Sequence, residues 1–473
     1  MSRIAFVYVP LKHQGFAENL QVVDEDFGRL PPLSLAYAAA IAERVGHAVT
    51  LIDANALRLT LPEVCVRLRD WRPDALAFTL STYMFRETVA WMQSLRQALG
   101  VPTIAGGINL ALYPEETLAH SAIDYGVVSF AVRGLPLLLA ALAEGRTPLG
   151  LPEVVARNQS GRPVVGPTAP ERNPFLDLPR PARHLLPNHK YYSIISQRRN
   201  FTIMVTSTGC DSQCSFCAIP QRPRFKNSLE QVEAEVVECV STHGIREIDF
   251  FDADFFADPG RAKALCRMMI ARNLDLEWSC RARLDRLDRE GLALARRAGC
   301  RQMYVGIETA SPRAQGLLRK LVRPELVRDR LDLMREAGIS PLGFFMLGVP
   351  GETWRSGLDT IRYAMRLPLD YAQFQRMIAK PGSALHREVV SRTGVDYWRD
   401  FVLGRATPKR MPNLWCGLSD RLITVLTQLG YLAFYFRPRQ FWRALRRLRS
   451  REELLRTGRA TLRMLGHVGE LDA

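Results

Sequence analysis

Residues 205–220 read VTSTGCDSQCSFCAIP and place three thiols, Cys210, Cys214 and Cys217, at intervals of four and three residues. The run FTIMV at 201–205 is apolar and partly β-branched, which is typical of a buried strand. The thiols are therefore predicted to lie on a loop at the carboxyl end of a strand. Barrels and open sheets of the α/β class place their active sites at that end.

Three clustered thiols are compatible with three kinds of site. A structural zinc site takes four nitrogen or sulfur ligands, but no second cysteine pair at comparable spacing is present, and the nearest downstream histidine is His243. Disulfides need an oxidising compartment, which nothing in the sequence indicates. An iron–sulfur cluster is normally held by four thiolates, so three thiols leave one iron open to a substrate.

The C-x3-C-x2-C spacing resembles the radical S-adenosylmethionine (SAM) superfamily, and Phe216 matches the aromatic position of that motif. The resemblance implies that the cysteines bind a [4Fe-4S] cluster and that SAM chelates the fourth iron. It implies reductive cleavage of SAM to a radical that removes hydrogen from an unactivated carbon. It also implies an electron donor such as flavodoxin or ferredoxin as a partner. A zinc loop stays open as the alternative.

The length and composition predict a multidomain globular protein. With 473 residues the chain exceeds one typical domain, and 47% apolar and 24% charged residues are typical of folded proteins. Nine cysteines are too few for a disulfide scaffold. Neither a leader nor an apolar run of membrane-spanning length is apparent. We therefore expect a reducing, cytoplasmic location.

The net charge of +16 is unevenly distributed, with an arginine-rich stretch at 437–459. A basic balance suits nucleic acid, an anionic membrane or anionic substrates. For this stretch a solvated basic face and a peripheral contact with the inner face of the membrane both remain open. Nucleic acid is not favoured as a partner, because no RNA-binding module is apparent.

Residues 1–145 alternate strand and helix signals. Strands are expected at 4–9, 48–53, 74–79, 102–105 and 124–128. Strands at this rhythm, separated by helices, predict βαβ units and a doubly wound, Rossmann-like parallel sheet.

This region resembles the cobalamin-binding domain that precedes the radical SAM core in a large subclass. The motifs that carry the resemblance are LPPLSLA at 30–36, Asp53 at a strand end, the Ser81-Thr82 turn, and Gly106-Gly107 followed by YPEETL at 113–118. They imply a cobalamin site formed by Ser81, Thr82, Gly106 and Gly107. Hydroxyls suit hydrogen bonds to a nucleotide tail, and glycines let the backbone approach a bulky ligand. Because no Asp-x-His-x-x-Gly motif is present, no histidine is offered as a cobalt ligand, and a domain without the cofactor stays open.

The rest of the chain divides into three further regions. Residues 146–199 are rich in proline and are expected to be a linker with little regular structure. Residues 200–397 repeat strand and helix six times, which predicts a partial (β/α)6 barrel. Its strands are expected at 201–206, 247–252, 276–281, 302–307, 341–347 and 370–378. Residues 398–473 are expected to form a helical C-terminal region.

The resemblance also implies SAM contacts at the strand ends of this barrel. Asp252 or Asp254 would pair with the SAM ammonium, although capping of the following helix is an alternative. Glu308 and Thr309 lie in the segment VGIET at 305–309, which is similar to a SAM-binding segment of the family. The remaining contacts that the resemblance implies are Phe216 at the cluster, Arg281 at the SAM carboxylate, and Pro381 near the adenine.

The resemblance to the subclass implies a cobalamin-dependent C-methylation of a hydrophobic metabolite. Oxidative cyclisation or rearrangement of a tetrapyrrole or a hopanoid-type lipid is the alternative. The sequence does not name the substrate.

Overall fold

A computed structural model describes residues 1–10, 28–168, 170, 172–193, 195–219, 223–406 and 413–438. These residues form two compact units. The first unit holds the described residues up to 192 together with 396–406. The second unit holds those from 193 to 395 together with 413–438.

Strands and helices alternate along most of the chain. The longer strands are β1 (Arg3–Tyr8), β2 (Ala48–Asp53), β3 (Ala75–Thr79), β4 (Thr103–Gly106), β5 (Tyr125–Val127), β6 (Val154–Arg157), β7 (Pro163–Val165), β8 (Phe201–Met204), β9 (Glu247–Phe250), β10 (Glu277–Ala282), β11 (Cys300–Glu308), β12 (Ser340–Leu347) and β13 (Tyr371–Arg376). The helices are α1 (Leu33–Arg44), α2 (Ala54–Leu57), α3 (Leu61–Trp71), α4 (Phe85–Leu99), α5 (Ile108–Leu112), α6 (Pro114–Leu118), α7 (Gly134–Ala143), α8 (Leu229–Ser241), α9 (Pro259–Arg272), α10 (Arg289–Arg297), α11 (Pro312–Leu317), α12 (Pro324–Glu336), α13 (Trp354–Arg366), α14 (Ala384–Thr393), α15 (Tyr397–Val402) and α16 (Asp420–Tyr435). Two-residue strands lie at Gly28–Arg29, Tyr192–Ser193, Ser207–Thr208 and Phe225–Lys226.

The first unit is built on a sheet of order β2-β1-β3-β4-β5-β6-β7. The pairs from β2 to β5 are parallel, with Phe6 opposite both Leu51 and Ala77. Because right-handed crossovers through helices join parallel strands, this order makes a doubly wound sheet. The predicted α/β fold of the N-terminal region is confirmed.

The proline-rich segment 146–199 is more regular than expected. It contributes β6, which pairs antiparallel to β5, and β7, which pairs antiparallel to β6. Val154 and Val155 are buried in this extension, and Pro163 begins the edge strand, a position where the missing N–H of proline is tolerated. The proline content therefore hid a hairpin that tertiary pairing stabilises.

The chain returns to the first unit after the barrel. Trp398 and Phe401 on α15 are fully buried, and the Tyr113 hydroxyl donates to Asp396 at 3.1 Å. Part of the region predicted as a C-terminal extension therefore completes the N-terminal fold. The arginine-rich stretch beyond Pro438 lies outside the described residues, so its predicted membrane contact stays a prediction.

The second unit holds six parallel strands in chain order, β8 to β13. Alternate side chains, such as Ile248 and Phe250, pack beneath the helices in the main apolar core. Glu247 and Asp249 of the same strand face the other side of the sheet, which is polar. The predicted partial (β/α)6 architecture is confirmed.

Helix α16 closes one side of this unit. Its Gly430 lies against Phe374, where a Cβ atom would come within 2.9 Å of the ring, and Tyr435 donates to the carbonyl of Ala372 at 2.9 Å. In the part of the chain that the structure describes, no helix combines the length and apolar character needed to span a bilayer.

Candidate functional site

The cysteine loop leaves the carboxyl end of β8, as predicted. Gly209 begins the loop with a φ of +77°, and a Cβ atom there would lie 2.2 Å from the carbonyl oxygen of Pro223. Only glycine fits this turn without displacing the backbone. Cys214 is buried, whereas Cys210 and Cys217 are half-buried.

Ser215 ties the loop to other strand ends of the barrel. Its N–H donates to Leu318 and its hydroxyl to Leu317, both at 2.9 Å, after β11. Its carbonyl accepts from Leu385 at 2.8 Å, after β13. The thiols are thus held at the mouth formed by the carboxyl ends of the strands.

The thiols lie among cations. Burial raises the pKa of the Cys214 thiol, and Lys320 and Arg283 oppose that shift. Burial also raises the pKa of Cys217, against the influence of Lys380 and Lys320. Positive groups near Cys214 and Cys217 suit an anionic iron–sulfur cluster, because the cations favour the thiolate form of these two residues.

Within the described ranges, no three His, Cys, Asp or Glu side chains converge as a single-metal site requires. A tetrahedral zinc site needs such convergence. In a cubane cluster each thiolate binds a different iron.

Asp252 holds the beginning of the cysteine loop. Its carboxylate accepts from the N–H and hydroxyl of Thr206, both at 2.6 Å, and from the hydroxyl of Ser207 at 2.7 Å. The side chain is buried, which raises its pKa, and these hydrogen bonds oppose the rise. In this structure the carboxylate accepts hydrogen bonds from the cysteine loop. The predicted contact between Asp252 and the SAM ammonium stays a prediction.

Asp254 and Asp211 share one arginine that sequence reasoning missed. Arg286 donates to Asp211 in the cysteine loop at 2.7 Å and lies 3.3 Å from Asp254. Burial raises the pKa of Asp254 to about 6. Asp254 also accepts from the N–H of Arg283 at 3.3 Å. The network braces the loop against the end of β10.

Glu308 forms a buried ion pair with Lys320, whose Nζ lies 2.6 Å from its Oε1. Glu308 adopts a φ of +69°, beyond a register shift in β11. A Cβ atom at Gly306 would lie 2.2 Å from Lys320 Nζ, so the glycine makes room for the pair. Non-glycine residues rarely adopt such a φ, and functional sites are where strained residues cluster. Lys320 had no sequence signal of its own.

Thr309 and Pro381 are both buried. The Thr309 hydroxyl lies 3.2 Å from that of Thr360, and its carbonyl accepts from Gln315 at 3.0 Å. Pro381 lies in the turn before α14, where the N–H of Ser383 donates to the carbonyl of Lys380. Both residues therefore shape the turns at the strand ends.

Arg281 is occupied within the barrel. Its guanidinium makes two bonds to Asp249, at 2.7 and 3.0 Å, and lies 3.8 Å from the centre of the Phe251 ring. Tyr304 covers it from the other side, at 4.7 Å. The predicted contact with the SAM carboxylate would require this pair to open, and it stays a prediction. Phe216 is half-buried beside Cys217.

Thr353 caps α13 by accepting from the N–H of Ser356. Glu352 instead folds back to accept from the N–H of Gly348. Burial raises the pKa of Glu352 to about 7. Trp415 donates to the carbonyl of Gly348 at 2.9 Å, so this turn is held from two directions.

In the first unit, the Ser81-Thr82 turn follows β3. Thr82 is buried and its hydroxyl donates to Asn109 at 3.0 Å. The Ser81 side chain accepts from the N–H of Met84 at 3.3 Å and is half-buried. Because the Thr82 hydroxyl serves the fold, Ser81 is the better placed of the two for the predicted bond to a nucleotide tail.

The two glycines after β4 differ in their surroundings. Gly107 has a φ of +101°, and a Cβ atom there would lie 2.7 Å from the carbonyl oxygen of Leu80. A Cβ atom at Gly106 would meet nothing closer than 4.0 Å. Packing against the end of β3 therefore already requires Gly107, whereas the fold leaves Gly106 free to serve a ligand.

Asp53 lies at the end of β2, fully buried. It accepts from the Tyr191 hydroxyl at 2.8 Å and from the N–H of Ala56. Sequence reasoning missed Tyr191, because only the fold brings the end of the linker to this strand.

Comparisons with known proteins identify both domains. Residues 204–364 match the model of the Radical SAM superfamily, and residues 21–138 match the model of the B12 binding domain. The chain is a radical SAM enzyme with a B12-binding domain. The cofactors of these domains are a [4Fe-4S] cluster, SAM and cobalamin. The cysteine loop and its cations fit the cluster.

Relatives and solved structures agree with this assignment. An uncharacterised methyltransferase of Pyrococcus horikoshii is 28% identical over 418 residues, covering 86% of this chain and 88% of that protein. An anaerobic magnesium-protoporphyrin IX monomethyl ester cyclase of Rubrivivax gelatinosus is 24% identical over 406 residues, covering 83% and 71%. The radical SAM methyltransferase TsrM from Kitasatospora setae, solved with cobalamin and a [4Fe-4S] cluster, superposes with a TM-score of 0.67 at 20% identity, covering 83% of this chain and 78% of that one. The radical SAM enzyme therefore shares the fold of TsrM.

Proposed function

We propose that this radical SAM enzyme is a cobalamin-dependent C-methyltransferase that acts on a small hydrophobic metabolite. The observation that carries the proposal is the joint presence of the braced cysteine loop at the barrel mouth and a B12-binding domain. The methyltransferase of Pyrococcus horikoshii, similar over most of both chains, supports methylation. The hydrophobic substrate rests on the sequence alone.

In this proposal the chain's own residues hold the cluster, brace the cysteine loop and bind SAM. Cys210, Cys214 and Cys217 hold the irons, leaving one coordination position for SAM. When bound, the reduced cluster and SAM supply a carbon-centred radical, and methylcobalamin supplies the methyl group. Asp252 and Arg286 keep the loop at the strand ends, so that the reacting groups meet in one geometry.

Glu308 and Lys320 are proposed to bind the amino-acid end of SAM. They present a carboxylate and an ammonium side by side, 2.6 Å apart. The amino-acid end of SAM carries the complementary ammonium and carboxylate. When SAM binds, the ion pair between Glu308 and Lys320 is exchanged for ion pairs with the ammonium and carboxylate of SAM. Every buried charge then stays compensated, which a buried site requires.

A second function is kept because of one relative. The cyclase of Rubrivivax gelatinosus is similar over 83% of this chain, so oxidative cyclisation or rearrangement is the alternative. Flavodoxin or ferredoxin as electron donor, and a peripheral membrane contact through the basic C-terminal region, are also proposals.

Metal analysis tests the cofactors. The protein is purified without oxygen in the presence of hydroxocobalamin, as wild type and as Cys214→Ala. We expect about four irons and one cobalt per chain in the wild type, with iron lost and cobalt kept in the variant. Zinc in place of iron would contradict the proposal. Iron without cobalt would leave the radical chemistry and remove the methylation.

Product analysis separates the two functions. Methylation uses one SAM as methyl donor and another as radical source, so substrate turnover yields S-adenosylhomocysteine together with 5′-deoxyadenosine. Cyclisation or rearrangement yields 5′-deoxyadenosine without S-adenosylhomocysteine. SAM with a deuterated methyl group, incubated with candidate substrates, therefore distinguishes them by whether deuterium enters the product.

A further inference from the structure

A cavity of about 270 Å³ lies at the amino-terminal ends of the strands of the second unit. Its wall includes residues at or near the starts of β9 to β13, namely Glu247, Glu277, Gln302, Ser340 and Tyr371. The cysteine loop follows the opposite, carboxyl end of β8, so this cavity is separate from the proposed active site. Its volume far exceeds the need of one water molecule and approaches the ~300–1,000 Å³ of small-molecule sites.

Most charges around the cavity are paired. Arg301 lies 2.8 Å from Glu277, and Arg335 lies 3.3 Å from Asp370. Arg296, which reaches the cavity from α10, has no ion-pair partner in the part of the chain that the structure describes. One positive charge is therefore left over on the wall.

Glu247 does not cancel that charge. Burial raises its pKa to about 8, and its Oε2 accepts from the N–H groups of Gln197 and Arg198 at 2.9 Å. At neutral pH it is therefore mostly a neutral acid. The cavity consequently presents a net positive surface, which favours an anionic ligand.

Two further side chains on the wall have unmet hydrogen-bonding capacity. Glu277 and Gln302 are more than nine-tenths buried. Among the described residues, Oε2 of Glu277 and Nε2 of Gln302 have no hydrogen-bond partner. A buried polar atom without a partner is unfavourable, so a ligand that bonds to both atoms is stabilised by satisfying them.

We propose that this cavity binds a small acid that carries a hydrogen-bond donor beside its carboxylate, as α-amino and α-hydroxy acids do. The carboxylate is bound by Arg296 and the Gln302 amide, and the neighbouring donor is bound by Glu277. Ile195 and Tyr371 supply the less polar part of the wall. The site is independent of the proposed methylation chemistry.

Isothermal titration of the anaerobically prepared, cluster-loaded full chain tests this site. The probes are glycine, glycolate, acetate and inorganic phosphate. We expect glycine or glycolate to bind, with the better of the two identifying the amino or the hydroxy acid. Acetate, which lacks the donor, is expected to bind about tenfold more weakly or worse, the loss that follows from one hydrogen bond to a charged group.

Three variants locate the binding. Arg296→Gln is expected to weaken binding about tenfold or more, whereas Arg297→Gln, an exposed arginine next to it on α10, is expected to change nothing. Gln302→Leu removes an amide group whose nitrogen has no partner among the residues that the structure describes. It is therefore expected to keep or raise the melting temperature while weakening binding. This variant separates a binding defect from a folding defect.

The proposal is overturned if none of the probes binds at millimolar concentration. It is also overturned if phosphate or acetate binds as tightly as the best α-substituted acid, because the donor would then have no role. A folded Gln302→Leu protein that binds as tightly as the wild type would equally refute the assignment. SAM cleavage, measured in parallel, is expected to be unchanged in the Arg296→Gln protein.

Discussion

Replacing Asp252 by asparagine tests whether this residue positions the cysteine loop or contacts SAM. The substitution keeps the shape of the side chain and one acceptor oxygen for the N–H of Thr206. It removes the charged oxygen that accepts from the hydroxyls of Thr206 and Ser207, at 2.6 and 2.7 Å. The loop would lose two of its three bonds to the end of β9.

The expected cost follows from those two bonds. Hydrogen bonds to a charged group contribute about 1.5–3 kcal/mol each, which gives about 3–6 kcal/mol for the pair. The two hydroxyls can turn to accept from the new amide, which recovers part of this energy. We therefore expect Asp252→Asn to lower the free energy of unfolding by about 3 kcal/mol.

The assay combines thermal unfolding, iron content after anaerobic reconstitution, and SAM binding by the cluster-loaded fraction. Asp252→Asn is expected to melt at a lower temperature and to retain less iron, with SAM affinity unchanged in the loaded fraction. Asp275→Asn is the control, because Asp275 is exposed and pairs with Arg198 far from the loop. Full iron content and an unchanged melting temperature with weaker SAM binding would refute the positioning role and favour the SAM contact.

Three further predictions concern charge and space. Lys320→Met leaves the Glu308 carboxylate buried without its cation and should lower the free energy of unfolding by about 3–5 kcal/mol. Adding Glu308→Gln to this variant should partly restore the stability. A Lys320→Met protein as stable as the wild type would show that the pair is not needed. Gly107→Ala should lower the melting temperature of the first unit whereas Gly106→Ala should not, since only the former places a Cβ atom 2.7 Å from a carbonyl oxygen. Equal melting temperatures of the two variants would contradict this. The pKa of Glu247 is raised to about 8, above its ordinary 4.5, so the stability that its neutral form gives the folded protein is lost as pH rises through about 8. In denaturant unfolding, Glu247→Gln should therefore gain about 3 kcal/mol relative to the wild type between about pH 6 and pH 9. If the unfolding free energies of the two proteins change in parallel with pH, the shift is disproved.

Local sequence patterns predicted much of the fold, because they act over short distances. The apolar runs of both α/β regions indicated parallel strands, and the cysteine spacing indicated a loop at the end of β8. The antiparallel pair β6 and β7 escaped prediction, because its strands are short and lie in a segment rich in proline. Their pairing depends on the edge of β5, which the sequence around them does not contain.

Candidate site residues were predictable where a motif carried them and were missed where only packing did. Asp252 and Glu308 stood out because they follow strand ends. Arg286 and Lys320, which bond the cysteine loop and Glu308, lie in helical and loop segments without a motif. Long, flexible cations find their partners only after the chain has folded, so no local pattern announces them.

The sequence by itself indicated the chemical type of this protein, through the resemblance of its cysteine motif to the radical SAM superfamily, and the strand rhythm predicted the architecture. Tertiary structure alone decided which charged side chains are paired within the protein and which are available to a ligand. It placed Arg281 on Asp249 and Asp252 on the cysteine loop. Among the described residues, it left Arg296 without an ion-pair partner beside a cavity at the far end of the barrel strands. The physical reason is that the availability of a charge depends on its burial and on its nearest partner, and residues distant in the chain supply both.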